Sequence, residues 1–319
     1  MVLDGLKKPE MDGMEATKIY WHPVKIQQTK IYSIFLLVFF TEIIHTFPMK
    51  KLFAILIIVL YLSACATNPL TGKSTMAIVS NSQLFPTSFA QYDEFLNENK
   101  VVTGTADAAM VERVGKRLAD SAQKWYESVG DPNYLNDYRW EYNLVQDNTI
   151  NAWCMPGGKI VVYTGILPVT KTEEGLAVVL GHEISHALFN HGQQRMSVDL
   201  IEQIGALGLQ MGASAAGLSP KIQSSLMSAY GIGTQLGATL PFSRSHESEA
   251  DHYGLILMAI AGYNPDEAVP FWERMSALGG SGTPEFLSTH PSNTTRIKDL
   301  KGWTAEAKQK AAQFGVKSQ

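Results

Sequence analysis

The chain has 319 residues, 45% hydrophobic and 18% charged, which suits a globular protein with a real core. Its net charge is −4 and no basic stripe appears, so nucleic acid is excluded as an expected partner. Only two cysteines occur, Cys65 and Cys154, and no disulfide framework is expected from them.

Residues 1–48 carry an apolar run, Ile31 to Ile44, without cap, repeat or motif. Met49-Lys50-Lys51, the apolar run Leu52 to Leu62 and Ser63-Ala64-Cys65 then follow in the order of a secretory signal. The run is short for a membrane span, which takes about 20 residues. Leu62-Ser63-Ala64-Cys65 resembles the bacterial lipobox, whose cysteine is diacylated and becomes the mature N-terminus. We therefore expect translation to start at Met49, with 1–48 a mis-annotated upstream extension, 49–64 a lipoprotein signal peptide, 65–84 a tether and 85–319 one catalytic domain. Removing the first 64 residues takes away seven lysines and five acidic residues and moves the net charge from −4 to −6. Lipid on Cys65, followed by Ala66 rather than Asp, implies a body anchored on the periplasmic face of a bacterial outer membrane.

Phe89 to Leu96 and Ala106 to Ser128 read as helices. Val111, Val114, Leu118 and Ala122 give the second a core-facing stripe at 3–4 spacing. Asp131-Pro132-Asn133 ends it. The alternating aromatic run Tyr138 to Val145 reads as a strand, as does Lys159 to Thr164 after the turn Pro156-Gly157-Gly158. Together they suggest a small antiparallel sheet. Cys154, between Trp153 and Met155, reads as packing rather than as a nucleophile.

Thr172-Glu173-Glu174 suits the N-terminus of a helix that carries Leu180-Gly181-His182-Glu183-Ile184-Ser185-His186. Positions i and i+4 of a helix share a face, so His182 and His186 can aim two imidazoles at one metal ion. Glu183 is turned about 100° from His182 and is placed to act on water rather than to ligate. An ionised Glu183 among Val179, Leu180, Ile184 and Leu188 is costly to bury without a compensating charge, which favours a metal site over two ordinary core histidines. Gln193 to Leu240 is poor in charge and rich in glycine. It reads as two closely packed helices broken near Leu218-Ser219-Pro220, with a mobile gate as the alternative.

Zinc held by two histidines takes a third protein ligand and keeps one position open. An immediate downstream histidine is ruled out, since Phe189 and Gly192 stand where HExxHxxGxxH requires Gly and His. Glu202, in a thermolysin-like spacing, has no adjacent motif. Ser243 to His252 offers Glu247 and Asp251 at i and i+4 of a further helix. Glu247 could complete the metal sphere, and Asp251 could accept a hydrogen bond from a ligand histidine and fix its tautomer.

HEISH with Glu-x-x-Ala-Asp about sixty residues later resembles the zinc metallopeptidases that include the CAAX prenyl proteases, the HtpX heat-shock proteases and bacterial outer-membrane lipoprotein proteases. Asn151-Ala152, Pro156-Gly157-Gly158, Ser243-Arg244, Thr289-His290-Pro291 and Arg296 extend the likeness over roughly residues 85 to 300. With the lipobox, it is most similar to the periplasm-facing branch, which includes β-barrel assembly-enhancing proteases, and to the mitochondrial relatives of that branch. The resemblance implies one Zn2+ per chain on His182, His186 and Glu247, with Glu183 as general base and acid and His290 as a latent-state ligand or oxyanion donor. It implies an α+β, mainly α, zincin-like fold with a small antiparallel sheet beside the HExxH helix. We further expect Lys159, Val161 and Tyr163 to lie on an edge strand that pairs with extended substrate. The expected function is zinc-dependent hydrolysis of unfolded or misassembled cell-envelope proteins, with the outer-membrane assembly machinery as a candidate partner. The competing class is a non-enzymatic chaperone with a latent zinc site.

Overall fold

The computed structural model describes residues 65–78, 80–198, 243–278, 284–290 and 294–317. The upstream extension, the signal segment and most of the glycine-rich stretch after Gln193 lie outside the described residues. Among the described residues no helix is long and apolar enough to cross a membrane.

The stretch 65–84, expected as a tether, is folded instead. β1 (Cys65–Thr67) and β2 (Ser74–Met76) form an antiparallel hairpin. The reason lies in Asn68, which is 7% exposed. Its Oδ1 accepts from the Leu70 N–H at 2.9 Å, which closes the turn. Its amide donates to the Leu188 carbonyl at 2.9 Å and reaches the Tyr126 and Tyr134 hydroxyls at 3.3 Å. Polar residues that read as a solvated tether are here partners for buried polar groups.

α1 (Asn81–Glu98) starts where Gln83 Oε1 accepts from the Ser80 N–H. β3 (Val101–Val102) leads to α2 (Ala106–Ser128), capped by Thr105, whose Oγ1 accepts from the Ala108 N–H. The stripe expected on α2 faces the core: Val111, Val114, Leu118 and Ala122 are all fully buried.

The sheet differs from expectation in two ways. Besides β4 (Glu141–Val145) and β6 (Lys159–Tyr163), it contains β5 (Ala152–Met155), and the strand order is β3-β4-β6-β5. β4 and β6 pair parallel, with Glu141 opposite Lys159, whereas β3–β4 and β5–β6 pair antiparallel. The sheet is therefore mixed. The turn Pro156-Gly157-Gly158 joins β6 to β5 rather than to β4, and Gly157 and Gly158 take φ of 86° and 89°, where a side chain is strained. β6 consequently slots between its neighbours, so Lys159, Val161 and Tyr163 are not on an edge. Both sides of β6 are already hydrogen-bonded, and Lys159 is tied to Glu141 at 2.7 Å. The edge strands are β3 and β5, and β5 is the one beside β6.

After α3 (Leu167–Thr170) comes α4 (Glu173–Leu188), capped by Thr172, whose Oγ1 accepts from the Gly175 N–H at 3.1 Å. Every residue of α4 from Gly175 onward is buried. It packs against α2, β5 and α5 (Arg244–Ile260). α4 and α5 touch backbone to backbone at Gly181 and Gly254: a Cβ on Gly254 would lie 2.8 Å from Gly181 C and His182 N. α6 (Ala268–Ala277), α7 (Glu285–Thr289) and α8 (Thr294–Gln313) complete the domain, and α8 covers α5. The fold is α+β and mainly α, with the small sheet beside the HEISH helix, as the sequence implies.

Candidate metal centre

α4 brings His182 and His186 to one face, and α5 brings Glu247 from its first turn, where Ser243 caps the helix through the His246 N–H. His290, at the C-cap of α7, closes the group. One ligand atom from each of His182, His186, Glu247 and His290 lies within 4.8 Å of the others, and all four residues are buried. His182 Nε2 is 3.1 Å from both His186 Nε2 and His290 Nδ1, and Glu247 Oε1 is 3.3 Å from His186 Nε2 and 3.0 Å from His290 Nδ1.

The hydrogen bonds behind these atoms assign their protons. His182 Nδ1 lies 2.9 Å from Asp251 Oδ1, and a carboxylate only accepts, so the proton is on Nδ1 and Nε2 presents a lone pair. His186 Nδ1 is 2.9 Å from His191 Nδ1, whose Nε2 is 3.0 Å from Glu249 Oε2. Burial pushes both His182 and His186 well below the ordinary imidazole 6.5, so both rings are neutral at pH 7. Two imidazole lone pairs thus face each other at 3.1 Å beside a carboxylate whose Oε2 is buried without a hydrogen bond. Such a set of converging acceptors repels itself unless a cation sits among them. Two histidine nitrogens and one carboxylate are a zinc ligand set, so these residues fit zinc.

Asp251 is lifted to about 6 by burial, against the pull of Arg296. Arg296, 6% exposed, donates to Asp251 Oδ1 at 2.6 Å, sits 3.2 Å from Glu247 Oε2 and lies 3.4 Å above the Trp272 ring. It keeps a guanidinium against the two buried carboxylates of α5.

Glu183 lines a cleft of about 450 Å3 together with Trp153, Cys154, Met155, His186 and His290. Its Oε1 is buried without a hydrogen bond, 3.4 Å from His290 Nε2. Burial raises its pKa to about 7, while His290 and a hydrogen bond from the Cys154 N–H pull the other way. Burial also pushes the Cys154 thiol well above its ordinary value, leaving it un-ionised and no nucleophile. Burial pushes the His290 imidazole down, but the carboxylates of Glu183 and Glu247 more than offset this and its pKa is raised.

The structure thus brings His182, Glu183, His186, Glu247, Asp251 and His290 together, and it places Lys159, Val161 and Tyr163 one strand away from the cleft edge. His191 and Glu249 were missed from sequence. Their signal is weak: His191 lies beyond the HExxH motif, and Glu249 sits about 200° around α5 from Glu247. The main-chain N–H of Cys154 carries no sequence signal.

A profile of peptidase family M48 matches residues 105–304. The chain is 37% identical over 178 residues to the mitochondrial metalloendopeptidase OMA1 of Schizosaccharomyces pombe, covering 55% of this chain and 50% of that protein. It is 30% identical to the Homo sapiens metalloendopeptidase OMA1, mitochondrial, covering 78% of this chain and 47% of that protein. It is 29% identical to the β-barrel assembly-enhancing protease of Escherichia coli, covering 60% and 37%. The chain spans about half the length of the first two relatives. These matches correct the expected location and branch. The relatives at 30–37% identity, from fungi, a plant and animals, are named as mitochondrial enzymes, so a bacterial outer-membrane, periplasm-facing placement is overturned. The lipid expected on Cys65 belonged to that placement and has no support in them.

Proposed function

The chain belongs to peptidase family M48, and from that membership we propose that it is a zinc metalloendopeptidase acting on unfolded or misassembled protein. The observation that carries the reading is the convergence of His182, His186, Glu247 and His290 on one point beside Glu183, whose Oε1 is buried without a hydrogen bond. His182, His186 and Glu247 would hold the metal. Zinc bound there supplies Lewis acidity, which polarises a peptide carbonyl and acidifies water.

The chain's own residues do the rest. Glu183 Oε1, buried without a hydrogen bond, takes a proton from the attacking water and returns it to the departing amine. His290, raised in pKa and facing the same cleft, donates to the oxygen that gains negative charge. β5 borders the cleft as a sheet edge. The Tyr163 N–H bonds the Asn151 carbonyl, and alternation then turns the main-chain groups of Ala152 and Cys154 away from β6; their N–H groups are taken by the Asn151 side chain and by Glu183, which leaves the two carbonyls to accept from a peptide. An extended peptide pairing there would be held by its main chain, which gives affinity with loose sequence preference, as unfolded substrates require.

Casein digestion by the purified protein, with and without chelator, tests the proposal. Cleavage that chelator abolishes and added zinc restores is the expected result. A protein that binds zinc and unfolded casein but never cuts it would instead be a chaperone with a latent site. The seat of His290 inside the ligand group is the observation that favours that second reading.

A further inference from the structure

His182 has a carboxylate partner that fixes its tautomer, and the corresponding partner of His186 is a second histidine. His191 is fully buried, with Nδ1 2.9 Å from His186 Nδ1 and Nε2 3.0 Å from Glu249 Oε2. Glu249 is held in turn at Oε1 by Lys73 Nζ, 2.8 Å away. The route by which His191 returns to His186 is local. α4 ends at Leu188, and Asn190 takes φ of 55°, a left-handed turn that asparagine tolerates. That turn brings residue 191 back beneath the last turn of α4. His246 stacks on the far face of the His191 ring at 4.3 Å and 14°, so the ring plane is fixed.

The protons in this chain can be placed by elimination. The Glu249 carboxylate only accepts, so His191 Nε2 carries a hydrogen and donates to it. With that ring hydrogen on Nε2, His191 Nδ1 is left to accept from His186 Nδ1 across their 2.9 Å contact. His186 Nε2 is left as a lone pair facing His182 Nε2 and Glu247 Oε1. The opposite tautomer of His186 would place a hydrogen on Nε2 and remove it as a ligand.

We propose that His191 and Glu249 are a positioning pair that fixes the tautomer and ring orientation of His186, the counterpart of Asp251 for His182. Both orienting carboxylates, Glu249 and Asp251, come from α5, the helix that also supplies Glu247. One helix therefore contributes a ligand and sets the protonation of both ligands on the other. Partners of this kind are worth about 10–100-fold in metal affinity.

The inference rests on His186 being a metal ligand, and the experiment separates the two ideas. Zinc affinity is measured by chelator competition on the full chain, and the cobalt(II)-substituted protein gives a visible spectrum that reads ligand geometry. His186→Ala must lose zinc; if it keeps zinc, the ligand assignment fails rather than the positioning role. His191→Leu removes the acceptor and should weaken zinc about 10–100-fold and alter the cobalt bands. His191→Asn keeps an acceptor oxygen near Nδ1 and should recover most of the affinity. Glu249→Ala should weaken zinc by about tenfold. Thermal unfolding of the zinc-free variants reports whether each still folds, and His191→Asn carries the test if His191→Leu does not. Affinity and cobalt spectrum unchanged in His191→Leu would overturn the proposal. So would equal loss in folded Leu and Asn variants, since packing rather than the hydrogen bond would then be at work.

Discussion

Replacing Glu183 by Gln separates catalysis from stability. Glu183 is 3% exposed, and in the metal-free protein burial raises its pKa from 4.5 to about 7. An acid whose folded pKa is raised favours the folded state only while it is protonated. That stability is fully present below about pH 4.5 and is lost as pH rises to about 7. The rise corresponds to about 3 kcal/mol at ~1.36 kcal/mol per pH unit. Gln keeps the shape and can still accept the Cys154 N–H, but it never ionises. Chelator-treated E183Q should therefore be more stable than chelator-treated wild type by about 3 kcal/mol at pH 8, and by only about 1 kcal/mol at pH 5. Urea unfolding of both proteins at the two pH values measures the difference. Zinc-loaded E183Q should retain its metal and lose casein cleavage. A gain equal at pH 5 and pH 8, or no gain at pH 8, would refute the account of Glu183 as a carboxylate whose burial outweighs His290 and the Cys154 N–H, and cleavage by the zinc-loaded variant would refute its role as base.

Glu247→Gln replaces a charged ligand by a neutral one and should weaken zinc by more than about 100-fold, beyond the range of an orienting partner, as read by metal content after dialysis. Gly254→Ala places a methyl group 2.8 Å from the α4 backbone, and overpacking of this kind costs about 1–3 kcal/mol, partly offset by about 1 kcal/mol of helix propensity. Its melting temperature should fall by a few degrees and its zinc affinity should drop as well. Asn68→Ala removes the 2.9 Å donor to the Leu188 carbonyl, which keeps the Tyr134 hydroxyl at 3.2 Å, and should destabilise by about 1 kcal/mol in calorimetry; an unchanged melting temperature would show that the N-terminal hairpin is not docked in solution.

The parts legible in the sequence were those written in local spacing. The stripe on α2, the Thr172 cap and the i, i+4 pair His182 and His186 need only one helix to be read. Glu247 needed two helices: the second was read from Glu247 and Asp251 at i and i+4, and a family resemblance then singled Glu247 out as the ligand. β5 was not legible because four residues between two turns show no alternation: Ala152 is buried, while Trp153, Cys154 and Met155 are all half-buried. Its absence made β4 and β6 look like hairpin partners, which turned a parallel pair into an antiparallel one. His191 was illegible for a different reason. Its place depends on one left-handed residue, Asn190, and on a carboxylate far away in the chain. Asn68 failed the same way, since a polar residue in a polar stretch gives no hint that three buried groups await it.

The contact at Gly181 and Gly254 acts as a fulcrum for the metal site. Glu247 lies seven residues before Gly254, a lever arm of about 10 Å at 1.5 Å per residue. A tilt of α5 by about 5° about that point carries the carboxylate about 1 Å, whereas metal–ligand distances tolerate about 0.2 Å. Side chains between the helices would act as compressible spacers. With backbone resting on backbone there is nothing to compress, and the angle between the two helices becomes the gauge that sets the bite of the site. Changes far along α8, which presses on α5 from outside, therefore reach the metal as rotation of α5.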